Sequence, residues 1–250
     1  MIMRNHLFAA LVAASFLPQA AKGQVPTMTE WHDMQVNELR RLPLHTSFFA
    51  YENEALAWRG DMRASSRHLS LEGQWKFLWS EHADGRPQDF YRTDFDDSQW
   101  TAMAVPGLWE LNGYGDPVYV NIGFAWRGHF ENNPPEVPVK DNHVGSYRRS
   151  IDIPANWEGQ QVIAHFGSVS SCIYLWVNGK FAGYAEDSKV AAEFDITPYL
   201  RKGRNLLAFQ VFRWSDGSYC EDQDCWRLSG VGRSCYLYAR PKKHIDDIII

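Results

Sequence analysis

From Ser70 onward the chain runs in short segments whose apolar positions alternate with polar ones. In Leu71–Trp79 the residues Leu71, Trp75, Phe77 and Trp79 fall on one face, the period of two that marks a half-buried strand. Ala102–Val105 predicts a short strand closed by Pro106-Gly107. Gly145–Ile153 alternates with Tyr147, Arg149 and Ile151 together, and Val162–Phe166 follows as a further strand. Cys172–Val177 carries two apolar faces, Ile173, Leu175 and Val177 against Cys172, Tyr174 and Trp176. Asn178-Gly179 then predicts a two-residue hairpin, because a type I′ turn needs positive φ at both central residues; Phe181–Ala185 returns. Phe194–Leu200 predicts a short helical turn, Leu206–Phe212 a strong strand and Ser234–Ala239 the last one. Many short strands, polar turns and little helix predict an all-β protein, a two-sheet sandwich of the jelly-roll kind.

The remaining segments are arranged around that body, which occupies residues 60–240. Residues 24–59 read as an irregular lead segment, with a short helical turn over Asn37–Arg41. Its apolar residues, Trp31, Phe48 and Tyr51 among them, show no sustained period, as suits a segment that covers an edge strand. Leu108–Asn142 is a long connection rich in Gly, Pro and aromatics. It is too aromatic for disorder, and its length points to function. At the start, Arg4 and His6 precede the apolar run Leu7–Leu17, followed by Pro18 and Ala21-Lys22-Gly23. This pattern predicts a secretory signal peptide over residues 1–23. The run is too short for a membrane span, which needs ~20 apolar residues. The protein is therefore expected to be exported, to the periplasm or the extracellular space. Residues 241–250 read as a linker, Pro241-Lys242-Lys243, and the first strand of a second domain, so the chain is expected to be truncated there.

Composition narrows the function. The 250 residues are 45% hydrophobic and 22% charged, an ordinary globular balance. The net charge of −5 and the absence of any Lys/Arg run argue against nucleic acid as a partner. Eleven tryptophans are unusually many; most are expected in the core, but such a surplus also suits carbohydrate platforms. The four cysteines, Cys172, Cys220, Cys225 and Cys235, match no zinc spacing. Cys172 lies in a strand pattern as a small hydrophobe. Spacing alone leaves open whether Cys220 and Cys225 bridge.

The stretch Arg213–Gly230 concentrates the chemistry. Asp216, Glu221, Asp222 and Asp224 share it with Arg213 and Arg227, and Trp214, Tyr219 and Trp226 run through it. Two readings stay open. Aromatic faces beside carboxylates suit a sugar, which offers apolar C–H faces and a ring of hydroxyls. Alternatively the tryptophans are core and the acids are paired to Arg213 and Arg227.

From about Arg41 to Ile250 the chain resembles the N-terminal sugar-binding domain of family 2 glycoside hydrolases, the large β-galactosidases in particular. The likeness rests on Leu71-Glu72-Gly73-Gln74-Trp75-Lys76-Phe77, on Val105-Pro106-Gly107-Leu108-Trp109-Glu110 and on Gly113-Tyr114-Gly115-Asp116-Pro117-Val118-Tyr119-Val120-Asn121. It continues in Trp176-Val177-Asn178-Gly179, Asp187-Ser188, Glu193-Phe194-Asp195 and the whole Arg213–Gly230 stretch. The resemblance implies a jelly roll followed by an immunoglobulin-like domain and a catalytic α/β barrel. It implies that Asn121 reaches into a galactose pocket and that Asp224 binds a sugar hydroxyl and a sodium ion. An amide both donates to and accepts from hydroxyls, and a carboxylate is a hard oxygen ligand. It also implies magnesium in the full enzyme and a homo-oligomer. Cys220 and Cys225 replace bulky apolar residues expected in the motif. Glu221 and Asp224 could be taken for the acid/base and nucleophile of a retaining glycosidase, but the family keeps its catalytic glutamates on the barrel. No catalytic residue is therefore expected in this chain. The expected function is the N-terminal part of a β-galactosidase acting on terminal non-reducing β-D-galactose with retention. The alternatives are a stand-alone carbohydrate-binding module and a purely structural sandwich in which Asp224 merely pairs with Arg227.

Overall fold

Antiparallel pairing of short strands carries the architecture, as the alternating pattern requires. The computed structural model describes residues 25–221 and 224–248. The signal peptide expected over 1–23 and the end of the expected final strand at 249–250 lie outside the described residues, and the described part of that expected strand, 244–248, forms no strand. In chain order the strands are β1 (Glu38–Leu39), β2 (His68–Ser70), β3 (Gly73–Ser80), β4 (Thr101–Val105), β5 (Gly107–Leu108), β6 (Val118–Val120), β7 (Val144–Asp152) and β8 (Gln161–Phe166). They continue as β9 (Val169–Ser170), β10 (Cys172–Val177), β11 (Lys180–Ala185), β12 (Ala192–Asp195), β13 (Arg204–Phe212), β14 (Cys225–Arg227), β15 (Gly230–Val231) and β16 (Cys235–Arg240). A seven-stranded sheet has the order β1-β11-β10-β13-β7-β3-β4, and a four-stranded sheet the order β12-β8-β16-β2. Small sheets join β5-β15-β9 and β14-β6.

The main core lies between the two large sheets. Trp75, Phe77, Tyr147 and Phe209 face Phe166 and Leu237 across it; Tyr147 and Phe209 stack at 4.3 Å, and Phe166 meets Phe209 at 5.3 Å. A second apolar cluster covers the opposite face of the seven-stranded sheet, where Trp31, Phe90 and Trp126 from the lead segment and loops close over Tyr174, Trp176 and Phe212. This explains the two apolar faces of β10. Ile173, Leu175 and Val177 enter the first cluster, and Cys172, Tyr174 and Trp176 the second. The Asn178-Gly179 turn has φ of 52° and 80°, as a type I′ hairpin demands.

Three local expectations change. Asn37–Arg41 is not a helical turn: Glu38 and Leu39 extend as β1 against Ala185 and Tyr184 of β11. The unpaired N–H and C=O groups of that edge outweigh a single helical turn, which fixes several residues for one bond. Phe194–Leu200 is split, its start belonging to β12 and only Thr197–Tyr199 forming a 3₁₀ turn. The lead segment contains a helix, α1 (Glu54–Arg59), which begins where Asn53 Oδ1 accepts the Leu56 N–H at 3.0 Å and ends at Gly60 with φ of 65°. Among the described residues no helix is long and apolar enough to cross a membrane.

Candidate functional site

The two loops singled out by composition meet in a ribbon. β6, from the long connection, pairs antiparallel with β14, from the acidic stretch: Val118 lies opposite Arg227 and Val120 opposite Cys225. Asn121 and Asp224 are the next residues beyond the last pair, so the register brings the two expected site residues together at the ribbon tip. Both are exposed. Asp224 takes a left-handed conformation, φ 59°, which short polar side chains tolerate better than most.

Tyr119 was not anticipated as a site residue. Its hydroxyl donates to Asp224 Oδ1, and this bond raises the Tyr119 pKa above that of an ordinary tyrosine. The only signal in the sequence was position, since residues two apart on a strand share a face. Tyr119 is 51% exposed and Trp226 58%, with ring centroids 5.6 Å apart. Ile122, beside Asn121, is 69% exposed. Large aromatic and aliphatic groups clustered on a surface mark a place of contact, and here they flank an amide and a carboxylate.

The other described acids of the stretch turn inward. Glu221 accepts from Ser188 N at 2.6 Å and Ser188 Oγ at 2.5 Å, and burial raises its pKa. Asp216 is buried beside Glu186, which also accepts from the Tyr184 hydroxyl and from Gly217 N. Burial pushes Glu186 up to about 9, the Asp216 carboxylate adding to it. Burial likewise raises the Asp216 pKa, and neither of its carboxylate oxygens has a hydrogen-bond partner among the described residues. Arg227 Nη1 donates to the Glu221 carbonyl at 3.1 Å. Asp224 thus bonds to Tyr119 and the Glu221 carboxylate to Ser188, while Arg213 faces Glu110 rather than an acid of the stretch. Glu221, directed onto Ser188, does not face Asp224 as a catalytic partner.

No disulfide joins the four cysteines among the described residues, so the bridge considered for Cys220 and Cys225 is not formed. A small cavity beneath the ribbon is lined by Trp126, Glu221, Trp226, Arg227 and Ser229, with Asn121 and Asp224 outside it. Among the described residues, one group of acids and histidine, Glu81, His82 and Asp141, could hold a metal. There His82 Nδ1 already accepts the Asp141 N–H at 3.0 Å, so that nitrogen is taken.

The glycosyl hydrolases family 2 sugar-binding domain matches residues 68–241. A β-galactosidase of Priestia megaterium is 41% identical over 222 residues, covering 88% of this chain and 22% of the relative. A β-galactosidase of Halalkalibacterium halodurans is 44% identical over 216 residues, covering 86% and 21%. The chain thus spans about a fifth of the length of these relatives. Among solved structures, Bacteroides uniformis β-glucuronidase 2 covalently bound to cyclophellitol-6-carboxylate aziridine shares the fold, with a TM-score of 0.53 at 24% identity over 70% of this chain and 18% of that one.

Proposed function

The chain belongs to the sugar-binding domains of glycosyl hydrolase family 2, and from that premise we propose that it is the N-terminal jelly roll of an exported β-galactosidase. The full protein removes terminal non-reducing β-D-galactose with retention, and its catalytic carboxylates lie outside these 250 residues. This domain lends a loop to a composite site. One observation carries the reading: β6 and β14 bring Asn121 and Asp224 side by side at an exposed tip, while Glu221 and Asp216 turn inward. The amide reaches galactose hydroxyls, and the exposed aromatics rest against the remainder of the protein or the sugar.

The donor set at the tip fits sodium as a shared ligand. Asp224 offers one carboxylate oxygen beyond the one that Tyr119 holds, and a hard cation completes its sphere with further oxygens. Magnesium belongs to the full enzyme, and no residue of this chain is assigned to it. The enzyme is proposed to be a homo-oligomer located in the periplasm or outside the cell. β-Glucuronidase and β-mannosidase activities fit less well than β-galactosidase, given the Asp216–Arg227 motif and relatives that are 41–44% identical β-galactosidases.

The exposed Tyr119–Trp226 pair also suits a stand-alone carbohydrate-binding module. The test is turnover of nitrophenyl β-D-galactoside by the protein encoded by the whole reading frame and by residues 25–248 alone. The proposal expects activity in the first and none in the second. An inactive full product, together with galactose binding by the isolated domain, would establish the module instead.

A further inference from the structure

The ribbon that carries Asn121 and Asp224 is only three residue pairs long and forms a sheet of its own. Such a two-stranded piece has little stiffness of orientation by itself, so its base must set where its tip points. The base is fastened by two buried ionisable side chains. Arg213 Nη2 donates to the Asp116 carbonyl at 2.9 Å, five residues before Asn121. Glu110 Oε2 accepts the Ser229 N–H at 2.8 Å, five residues after Asp224. The two side chains face one another, with Arg213 Nε 3.9 Å from Glu110 Oε1 and side-chain exposures of 5% and 0%. Arg213 Nη1 also donates to His143 Nδ1 at 3.1 Å, and the guanidinium lies over the Trp214 ring at 4.9 Å.

We infer that Glu110 and Arg213 are positioning residues: facing one another, they clamp both strands at the base through their hydrogen bonds to Ser229 N and the Asp116 carbonyl, and so fix the aim of Asn121 and Asp224 at the tip. This deepens the proposed function and rests on it. Five extended residues span ~17 Å, so a tilt of ~5° at the base displaces the tip by ~1.5 Å. A misplacement of about 1 Å at a reacting site is enough to cost on the order of 10²-fold in rate. The Ser229 carbonyl is also held, by Trp109 N at 2.9 Å, so the β14 base has two fastenings. The Asp116 base depends chiefly on Arg213, which makes Arg213 the more sensitive member.

The experiment uses the full-length protein with Arg213→Lys, which keeps a cation beside Glu110 but loses the planar fork, and Glu110→Gln, which keeps an acceptor for Ser229 N. KM, kcat and Tm are measured for nitrophenyl β-D-galactoside well below the unfolding range. The inference predicts that Arg213→Lys folds and that its KM rises about tenfold or more. Glu110→Gln should show a smaller rise in the same direction, and both rises should exceed any effect on kcat of a non-specific loss of folded protein. A lowered Tm with KM within twofold of wild type would overturn it, as would failure of both variants to fold, since either marks a structural role. Wild-type protein without galactoside turnover would instead overturn the functional reading, and the inference with it.

Discussion

Replacing Glu193 by Gln should change how stability depends on pH in a defined window. Glu193 lies on β12 in the four-stranded sheet and is nearly buried, yet it accepts three hydrogen bonds. His165 Nδ1 stands 2.8 Å from one carboxylate oxygen, and His45 Nε2 and the Tyr238 hydroxyl each stand 2.9 Å from the other. Burial alone would raise its pKa, but these partners overcome burial and lower it from 4.5 to about 2. A folded pKa below the unfolded one stabilises the protein above pH 4.5, and that stabilisation is lost as pH falls through about 2. At 1.36 kcal/mol per pKa unit the contribution is about 3 kcal/mol. His45 acts in the opposite direction. Its Nδ1 lies 2.8 Å from the Thr46 carbonyl and its Nε2 faces Glu193, so both ring nitrogens donate only when the ring is protonated. Burial opposes the charge, but the Glu193 bond prevails and the pKa is raised. That contribution is present below pH 6.5 and fades as pH rises through the folded value. Arg240, Tyr236, Tyr238, His165 and Asp247 are further titratable groups around this pair. The assay is denaturant unfolding of wild type and Glu193→Gln from pH 2 to pH 8. The expected stability difference is about 3 kcal/mol near pH 6, shrinking toward zero near pH 2. A difference that stays flat across that range would refute the reasoning.

A methyl added at Gly145 would sit 2.5 Å from Trp109 Cζ2 and 2.9 Å from Phe77 Cε2. Gly145→Ala should therefore cost about 1–3 kcal/mol by overpacking, read as a drop in the denaturation midpoint. In native protein a thiol reagent should label exposed Cys220, while Cys172 and Cys235 react only on unfolding, because burial raises both thiol pKa values. Failure of Cys220 to label without reductant would indicate a bridge. Tyr119→Phe in the full enzyme should raise the KM for galactosides several-fold without lowering Tm, since it removes only an exposed hydroxyl from Asp224; an unchanged KM would remove Tyr119 from the site.

Local patterning made most of the sandwich legible. The alternation in Leu71–Trp79 and the double apolar face of Cys172–Val177 correspond to β3 and β10, and the hairpin sits where Asn178-Gly179 requires it. α1 carried its own signals, Asn53 before it and Gly60 after it, and was hidden only because its apolar residues do not bury. β1 was not legible, because the edge it completes is supplied by β11, nearly 150 residues away. The same holds at the site. Neither loop's composition says that Val118–Val120 will pair with Cys225–Arg227. Asn121 and Asp224 came from family resemblance, and sorting the acids of the stretch required their neighbours. Ser188 takes Glu221, Glu186 lies beside Asp216, and Tyr119 takes Asp224; the first two lie in the loop after β11 and the third on β6, far from the acids in sequence.

The central claim is that Asp224 is held outward for a sugar rather than inward for the fold. It is tested most directly by measuring galactoside turnover and Tm of the full-length protein carrying Asp224→Asn. The account predicts a loss in kcat/KM on the order of 10²-fold, weakened dependence on sodium and an unchanged Tm. Intact turnover with a Tm lowered by several degrees would contradict it and make Asp224 a structural residue.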